Sequence, residues 1–256
     1  MVNFKKHLAV FESASDYEAF KSSEEFVTPN VSLCRDEYKL HYNAKEEGVY
    51  DPFNGHEYVD LGLPSGTLWA TKAVGAENEG DYGLYFAWGG TEGATKEQVE
   101  SGEFLLGTDE SGNVGRLVPY MSDGFTPTKY NSADGKTILD LEDDAAHVHM
   151  GGDWHMPTRE QLEELKANTT STWVTQNGVN GRLFTSKING NSVFVPAFGY
   201  VYDGSVYNVG SYGYVWSSSV NEEYLSNAWY LTFGSSLLDM RYYARTFGQV
   251  VFGVVG

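Results

Sequence analysis

The stretch AWYLTFGSSLLDMRYYARTFGQ, Ala228 to Gln249, opens as a strand and continues as a run of tyrosine, arginine and phenylalanine. Residues two apart on a strand share a face, so Trp229, Leu231 and Phe233 fall together, opposite Tyr230, Thr232 and Gly234. The alternation resumes with Leu238 and Met240 against Leu237, Asp239 and Arg241. This pattern predicts an inward scaffold set and an outward set whose replacement leaves the core packing nearly untouched. Arg241, Tyr242, Tyr243 and Phe247 offer large contact area at low side-chain entropy cost, with a guanidinium for hydrogen bonding or stacking. Such a surface binds proteins or sugars. The alternative is that the run packs against the N-terminal module or a neighbouring subunit.

Upstream, NGVNGRLFTSKINGNSVFVPAFGYVY reads as strands joined by Asn-Gly turns. In MPTREQLEELKAN, Thr158 and Gln161 form a capping box, Glu160 suits the first turn, and Leu162 with Leu165 makes a buried stripe. In TILDLEDDAAHVHM, Ile138, Leu141, Ala145 and Val148 recur at helical spacing, which puts Asp143 and Asp144 on the wet side. Trp69 and Trp88 follow short apolar runs and are expected in the core, each with a polar handle. The acidic, glycine-rich interval from Thr91 to Asn113 has no sustained period and is expected to be a surface insertion. Helices in the middle with strands around them describe an α+β domain.

The N-terminal segment differs. Ser15 and Glu18 predict a capped short helix, and VSLCRDEYKLHYN predicts a hairpin turning at Arg35 to Glu37. EEGVYDPFNG reads as a linker ending near Asn54. Residues 1–54 are therefore expected to form a small module and residues 55–256 the main domain.

The charge of −18, from 17 basic and 35 acidic residues, opposes broad attraction to nucleic acid or to an anionic membrane. The apolar run Leu8 to Phe11 is too short for a secretory core, and no segment reaches transmembrane length. Cys34 is the single cysteine, so no intrachain disulfide forms, and it reads as a structural thiol. The densest ligand-like cluster is HVHMGGDWH, with His147, His149, Asp153 and His155. On a helix His147 and His149 diverge, and helix-end cations account for them, so no metal site is expected there. Asp143 and Asp144 read as a solvated helix surface. No nucleophile elbow, Walker loop or dinucleotide fingerprint stands at a strand-to-helix turn, and no enzyme activity is expected.

The ordered set YVDLGLPSGTLWAT, YGLYFAWG, LEDDAA, GGDWHMPTREQLEEL, VFVPAFGY and VGSYGYVWSSS resembles the C-type-lectin-fold domains of gut bacteria and their phages. It is also similar to the fibrobacter major paralogous domain and, distantly, to the formylglycine-generating enzyme fold, whose reactive cysteines have no counterpart here. The nearest likeness is to variable proteins of diversity-generating retroelements, matched at Trp216, Ser217, Ser218, Ala228, Trp229, Leu231, Phe233, Arg245, Gly248 and Gln249. That resemblance implies a variable region of about 224–247 and a ligand-binding face. Its members would be Tyr224, Ser226, Tyr230, Thr232 and Gly234, then Leu237, Asp239 and Arg241, then Tyr242, Tyr243, Ala244, Thr246 and Phe247.

In such families the varied codons derive from Asn codons ending in a pyrimidine, which excludes Glu, Lys, Gln, Met and Trp. None of these positions breaks that rule, and Met240 lies between them as a fixed position. The absence of a visible export signal favours a phage tail protein for host attachment, anchored or oligomerised by the N-terminal module, with a cell-surface protein or glycan as partner; the resemblance implies a trimer. The alternatives are a bacterial surface adhesin or ligand-display protein and, from another class, a metal-dependent enzyme. The Glu-Pro-Asn and Gln-Pro-Asp sugar motifs of animal C-type lectins are absent, so no calcium or other cofactor is expected. The ending VVFGVVG departs from the family pattern.

Overall fold

The computed structural model describes residues 51–103, 106, 115 and 117–256, together with the strands of the N-terminal stretch. The chain forms two compact units, Met1–Gly55 and His56–Gly256.

The first unit is an antiparallel sheet of β1 (Asn3–Lys5), β2 (Leu8–Val10), β3 (Val31–Cys34) and β4 (Lys39–Tyr42), in the order β1-β2-β4-β3. The hairpin expected from VSLCRDEYKLHYN is present, with Val31 opposite Tyr42 and Cys34 opposite Lys39. The predicted helix at Ser15, the turn Arg35 to Glu37 and the Cys34 side chain lie outside the described residues.

The second unit is a sheet-rich α+β domain. Its largest sheet runs β15-β14-β13-β16-β7, built from Tyr85–Phe86 (β7), Tyr212–Val220 (β13), Asn227–Gly234 (β14), Leu238–Ala244 (β15) and Gln249–Val250 (β16). A second sheet joins Phe252–Val255 (β17) to Leu68–Ala73 (β6) and Tyr58–Asp60 (β5), so VVFGVVG supplies buried strands. A third comprises Thr169–Gln176 (β8), Val179–Ser186 (β9) and Ser192–Pro196 (β10). Asn177 and Gly178, both at positive φ, make the expected two-residue turn between β8 and β9. The short hairpin Tyr200–Tyr202 (β11) and Ser205–Tyr207 (β12) is tied to the main sheet by reciprocal backbone hydrogen bonds between Val201 and Gly248. Phe233 joins this architecture, its ring meeting Phe184 at 6.2 Å and Phe198 at 6.5 Å.

Two of the helices are local in origin. Helix α1 (Lys96–Glu100) has a complete capping box from Thr95 and Gln98, and it buries Val99. This corrects the expected featureless insertion: Ala94, Val99 and Leu106 all belong to the core. Helix α3 (Arg159–Asn168) is capped by Thr158 and Gln161 and buries Leu162 and Leu165 as its sequence predicts.

The segment between them reverses the expectation. A 3-10 turn at Leu141–Asp143 precedes helix α2 (Ala145–Met150), and the chain is extended at Asp144, so no single helical face exists. Leu141 is 54% exposed and Val148 51%, whereas Asp143 and Asp144 are buried. Asp144 caps α2 by accepting from His147 N at 3.0 Å and accepts from Met156 N at 2.8 Å. Asp143 accepts hydrogen bonds from Tyr120, Lys129 and Tyr130. A buried carboxylate needs such partners, and only tertiary contacts supply them.

Their ionisation diverges. Burial opposes the charge on both; it dominates at Asp144 and raises its pKa, while at Asp143 the bonds from Lys129, Tyr120 and Tyr130 prevail and lower it. A carboxyl with a lowered folded pKa stabilises the fold above the unfolded value near 4, and that contribution is lost as pH falls below it. Asp143→Asn is therefore expected to flatten the fall in urea midpoint between roughly pH 4 and pH 2. An unchanged slope contradicts this assignment.

Tryptophan and serine chemistry ties the sheet to its surroundings. Trp88 Nε1 donates to Ser217 O at 2.8 Å and Trp216 Nε1 to Phe86 O at 2.9 Å. Trp69 is buried, but its Nε1 has no partner among the described residues, so of Trp69 and Trp88 the second alone uses its expected polar handle there. In WSSS, Ser217 Oγ donates to Trp229 O at 2.8 Å and Ser219 Oγ accepts from Arg159 N at 3.0 Å, where the β13–β14 register shifts.

Candidate functional site

Strand register assigns the C-terminal side chains to faces. Tyr214 pairs with Thr232, Tyr230 with Arg241 and Ala228 with Tyr243, so Tyr214, Tyr230, Arg241 and Tyr243 share one face of the β13-β14-β15 sheet. The β11–β12 hairpin adds Tyr200 and Tyr202, and the loop after β15 adds Phe247. Together with Asn208, Thr246 and Gln249 they line an open cleft of about 710 Å³.

One wall of the cleft is a pile of rings. Phe247 stacks on Tyr202 at 4.5 Å and on Tyr200 at 5.6 Å, and Tyr200 stacks in turn on Tyr207 at 5.5 Å. Tyr243 meets Phe247 edge-on at 4.6 Å. Phe247 is thus held among rings of its own chain and half-buried, while Tyr202 and Tyr243 are exposed.

Burial pushes the Tyr230 phenol up to about 12, with Tyr214 adding to the effect and Arg241 opposing it. Burial also raises Tyr214 and Tyr200. These phenols are neutral at physiological pH and serve as hydrogen-bond donors and acceptors. Asn208 Nδ2 donates to Tyr214 Oη at 2.9 Å, which leaves the Tyr214 proton for another acceptor.

The chain matches no family model, no curated protein and no solved structure.

The predicted site residues separate into groups. Tyr230, Arg241, Tyr243, Ala244, Thr246 and Phe247 line the cleft. Tyr242 lies on the opposite face, meeting Trp229 edge-on at 5.2 Å and stacking on Tyr224 at 5.6 Å, with the Arg159 guanidinium 3.9 Å above the Trp229 ring. Tyr242 and Tyr243 therefore do not form one patch. Asp239 faces Lys166 at 3.6 Å, Leu237 O accepts from Gly234 N at the strand turn, and Ser226 O accepts from Arg245 N.

The outward reading fails at several positions. Tyr230, Thr232 and Thr246 are buried, Gly234 lies buried against Tyr212, and Trp229, expected inside, is half-buried. Side chains of β13 cover that face of β14: Tyr230 meets Tyr214 at 6.0 Å and Trp216 at 5.7 Å, and Gly234 lies under Tyr212. Side-chain alternation identifies two faces but does not say which one meets water.

The other half of the cleft comes from GYVYDGSVYNVGSYGY, Gly199 to Tyr214, none of which was among the predicted site residues. Its signal was tyrosines two apart around an Asp-Gly turn, both residues of which adopt positive φ.

The histidines do not converge. His147 Nδ1, His149 Nε2 and His155 Nδ1 face the carbonyls of Trp154, Thr91 and Met156 respectively. Among the described residues, Asp140, Glu142 and Asp143 bring ligand atoms within 4.8 Å of one another. The Lys129 ammonium already lies among them, bonded to Asp143 and 3.0 Å from Asp140. A neighbouring guanidinium braces this region: Arg245, 0% exposed, donates to Lys129 O at 2.9 Å and Tyr130 O at 2.6 Å and covers the Trp88 ring at 4.5 Å.

Proposed function

We propose that this chain is a receptor-binding protein with a C-type lectin fold, diversified in its C-terminal region by a retroelement and carried on a phage tail for host attachment. The observation that carries the reading is the convergence of Tyr230, Arg241, Tyr243 and Phe247, from the run with the diversification pattern, on one open cleft. The family's order also supports it: the WSSS strand, the AWYLTF strand, the variable run and a terminal strand follow one another as β13, β14, β15 and then β16 with β17. In this reading the N-terminal sheet anchors a trimer, and several sites of modest affinity on one cell surface give avid attachment.

Arg241 and Tyr243 are exposed, so their replacement removes contact area and leaves the core intact. Against a panel of gut bacterial strains, Arg241→Ser/Tyr243→Ser is expected to lower cell binding about tenfold or more, with the melting temperature moved by under about 2 °C. Binding to no strain, or binding unchanged in the double variant, overturns the assignment of this cleft.

A further inference from the structure

The composition of the cleft speaks to its ligand. Arg241 is the only charged residue among those described as lining it, and no carboxylate lines it although the chain carries 35 acidic residues. The only ionic contact of Arg241 among the described residues is Nε to Asp239 at 3.5 Å, so the Nη edge of the guanidinium is uncommitted. A planar fork of this kind pairs with a carboxylate through two parallel hydrogen bonds.

The remaining lining is neutral and polar-aromatic. Tyr202 is 39% exposed and Tyr243 52%, and each presents ring surface to the cleft. The electron-rich face of an aromatic ring suits the C–H face of a pyranose. Tyr214 retains a free phenolic proton, as described above. Gln249 is 2% exposed at the cleft floor, and its Oε1 is buried with no hydrogen-bond partner among the described residues. The cleft volume is that of a small-molecule site, whereas protein partners dock on broader and flatter surfaces.

We propose that the cleft takes an acidic saccharide, with a sugar ring on Tyr202 and Tyr243, a hydroxyl on Tyr214, and its carboxylate on Arg241. This rests on the receptor-binding reading and names the ligand class for the same site. The net charge of −18 repels anions at long range, but at physiological salt that repulsion is screened beyond about 8 Å, and the contact with Arg241 is local.

The test uses the whole chain on an immobilised panel of acidic oligosaccharides, including trigalacturonate and sialyllactose, each beside its methyl ester, with polyglutamate as an acidic peptide. The methyl ester keeps shape and hydroxyls and removes the charge. The expected result is binding to at least one acidic saccharide, weakened about tenfold or more by esterification and by Arg241→Gln. Arg241 is exposed, so the variant's melting curve should overlay that of the parent. Binding to none of the acidic saccharides, equal binding to the esters, or tighter binding to polyglutamate overturns the proposal. If cell binding still depends on Arg241 and Tyr243 in those cases, receptor binding stands and only the ligand class falls.

Discussion

Arg245→Ala is expected to cost the C-terminal unit about 3–5 kcal/mol, close to the margin on which a domain folds. The guanidinium is fully buried, donates to two carbonyls of the Lys129–Tyr130 segment and covers Trp88. Its removal opens a cavity and leaves Lys129 O and Tyr130 O without those donors. Burial depresses the Arg245 pKa to about 10, with Asp134 and Tyr130 opposing the shift, and the group remains charged at neutral pH. Every tryptophan of the chain lies beyond Gly55, so fluorescence reports this unit alone. Urea titration should show a lower midpoint at unchanged slope. A loss below about 1 kcal/mol would contradict the bracing role. Because Arg245 sits between Ala244 and Thr246, which line the cleft, the variant should also bind ligand less well where it remains folded.

Gly199→Ala should be nearly as severe, for a different reason. Gly199 has φ +69°, and an added Cβ would lie 1.9 Å from Tyr207 O and 2.9 Å from Val209 N. Both are backbone atoms, so relief requires moving the β11–β12 hairpin that carries Tyr200 and Tyr202. The left-handed conformation and the clash together predict a loss of about 3 kcal/mol or more, and a cleft without one wall. Gly190, at φ +79° with open space around its Cβ position, separates the two contributions. Gly190→Ala should cost about 1 kcal/mol and leave binding intact. Equal effects at the two glycines would contradict the close approach at Tyr207.

Features encoded within a few residues were legible in the sequence. The capping box at Thr158 and Gln161, the Asn177-Gly178 turn and the hairpin of Val31–Cys34 with Lys39–Tyr42 each depend on neighbours in the chain. Asp143 and Asp144 were misjudged because their partners are tertiary: Tyr120, Lys129 and Tyr130 for one, and a Met156 amide beyond the helix for the other. Periodicity also presumed one continuous helix where Asp144 breaks the chain. The candidate site was half legible. The β15 residues were identified, but the faces of Tyr242 and Tyr243 and the wall from Tyr200 to Tyr214 emerge only from strand register and from the neighbouring hairpin.

Burial also sharpens what diversification permits. Thr232 is 2% exposed and Gly234 packs on Tyr212, so replacements there disturb the core. Arg241, Tyr242, Tyr243 and Tyr224 are exposed, and they are where variation is cheapest.

The most direct measurement is the DNA sequence of the gene and its surroundings. A nearby near-repeat of the C-terminal codons is expected, beside a reverse-transcriptase gene and differing almost only at template adenines. Differences should fall in the codons of Arg241, Tyr243 and their exposed neighbours, with Trp229, Leu238, Met240 and Arg245 unchanged. No such repeat, or differences spread over those scaffold codons, would contradict the claim that this surface is made to be rewritten.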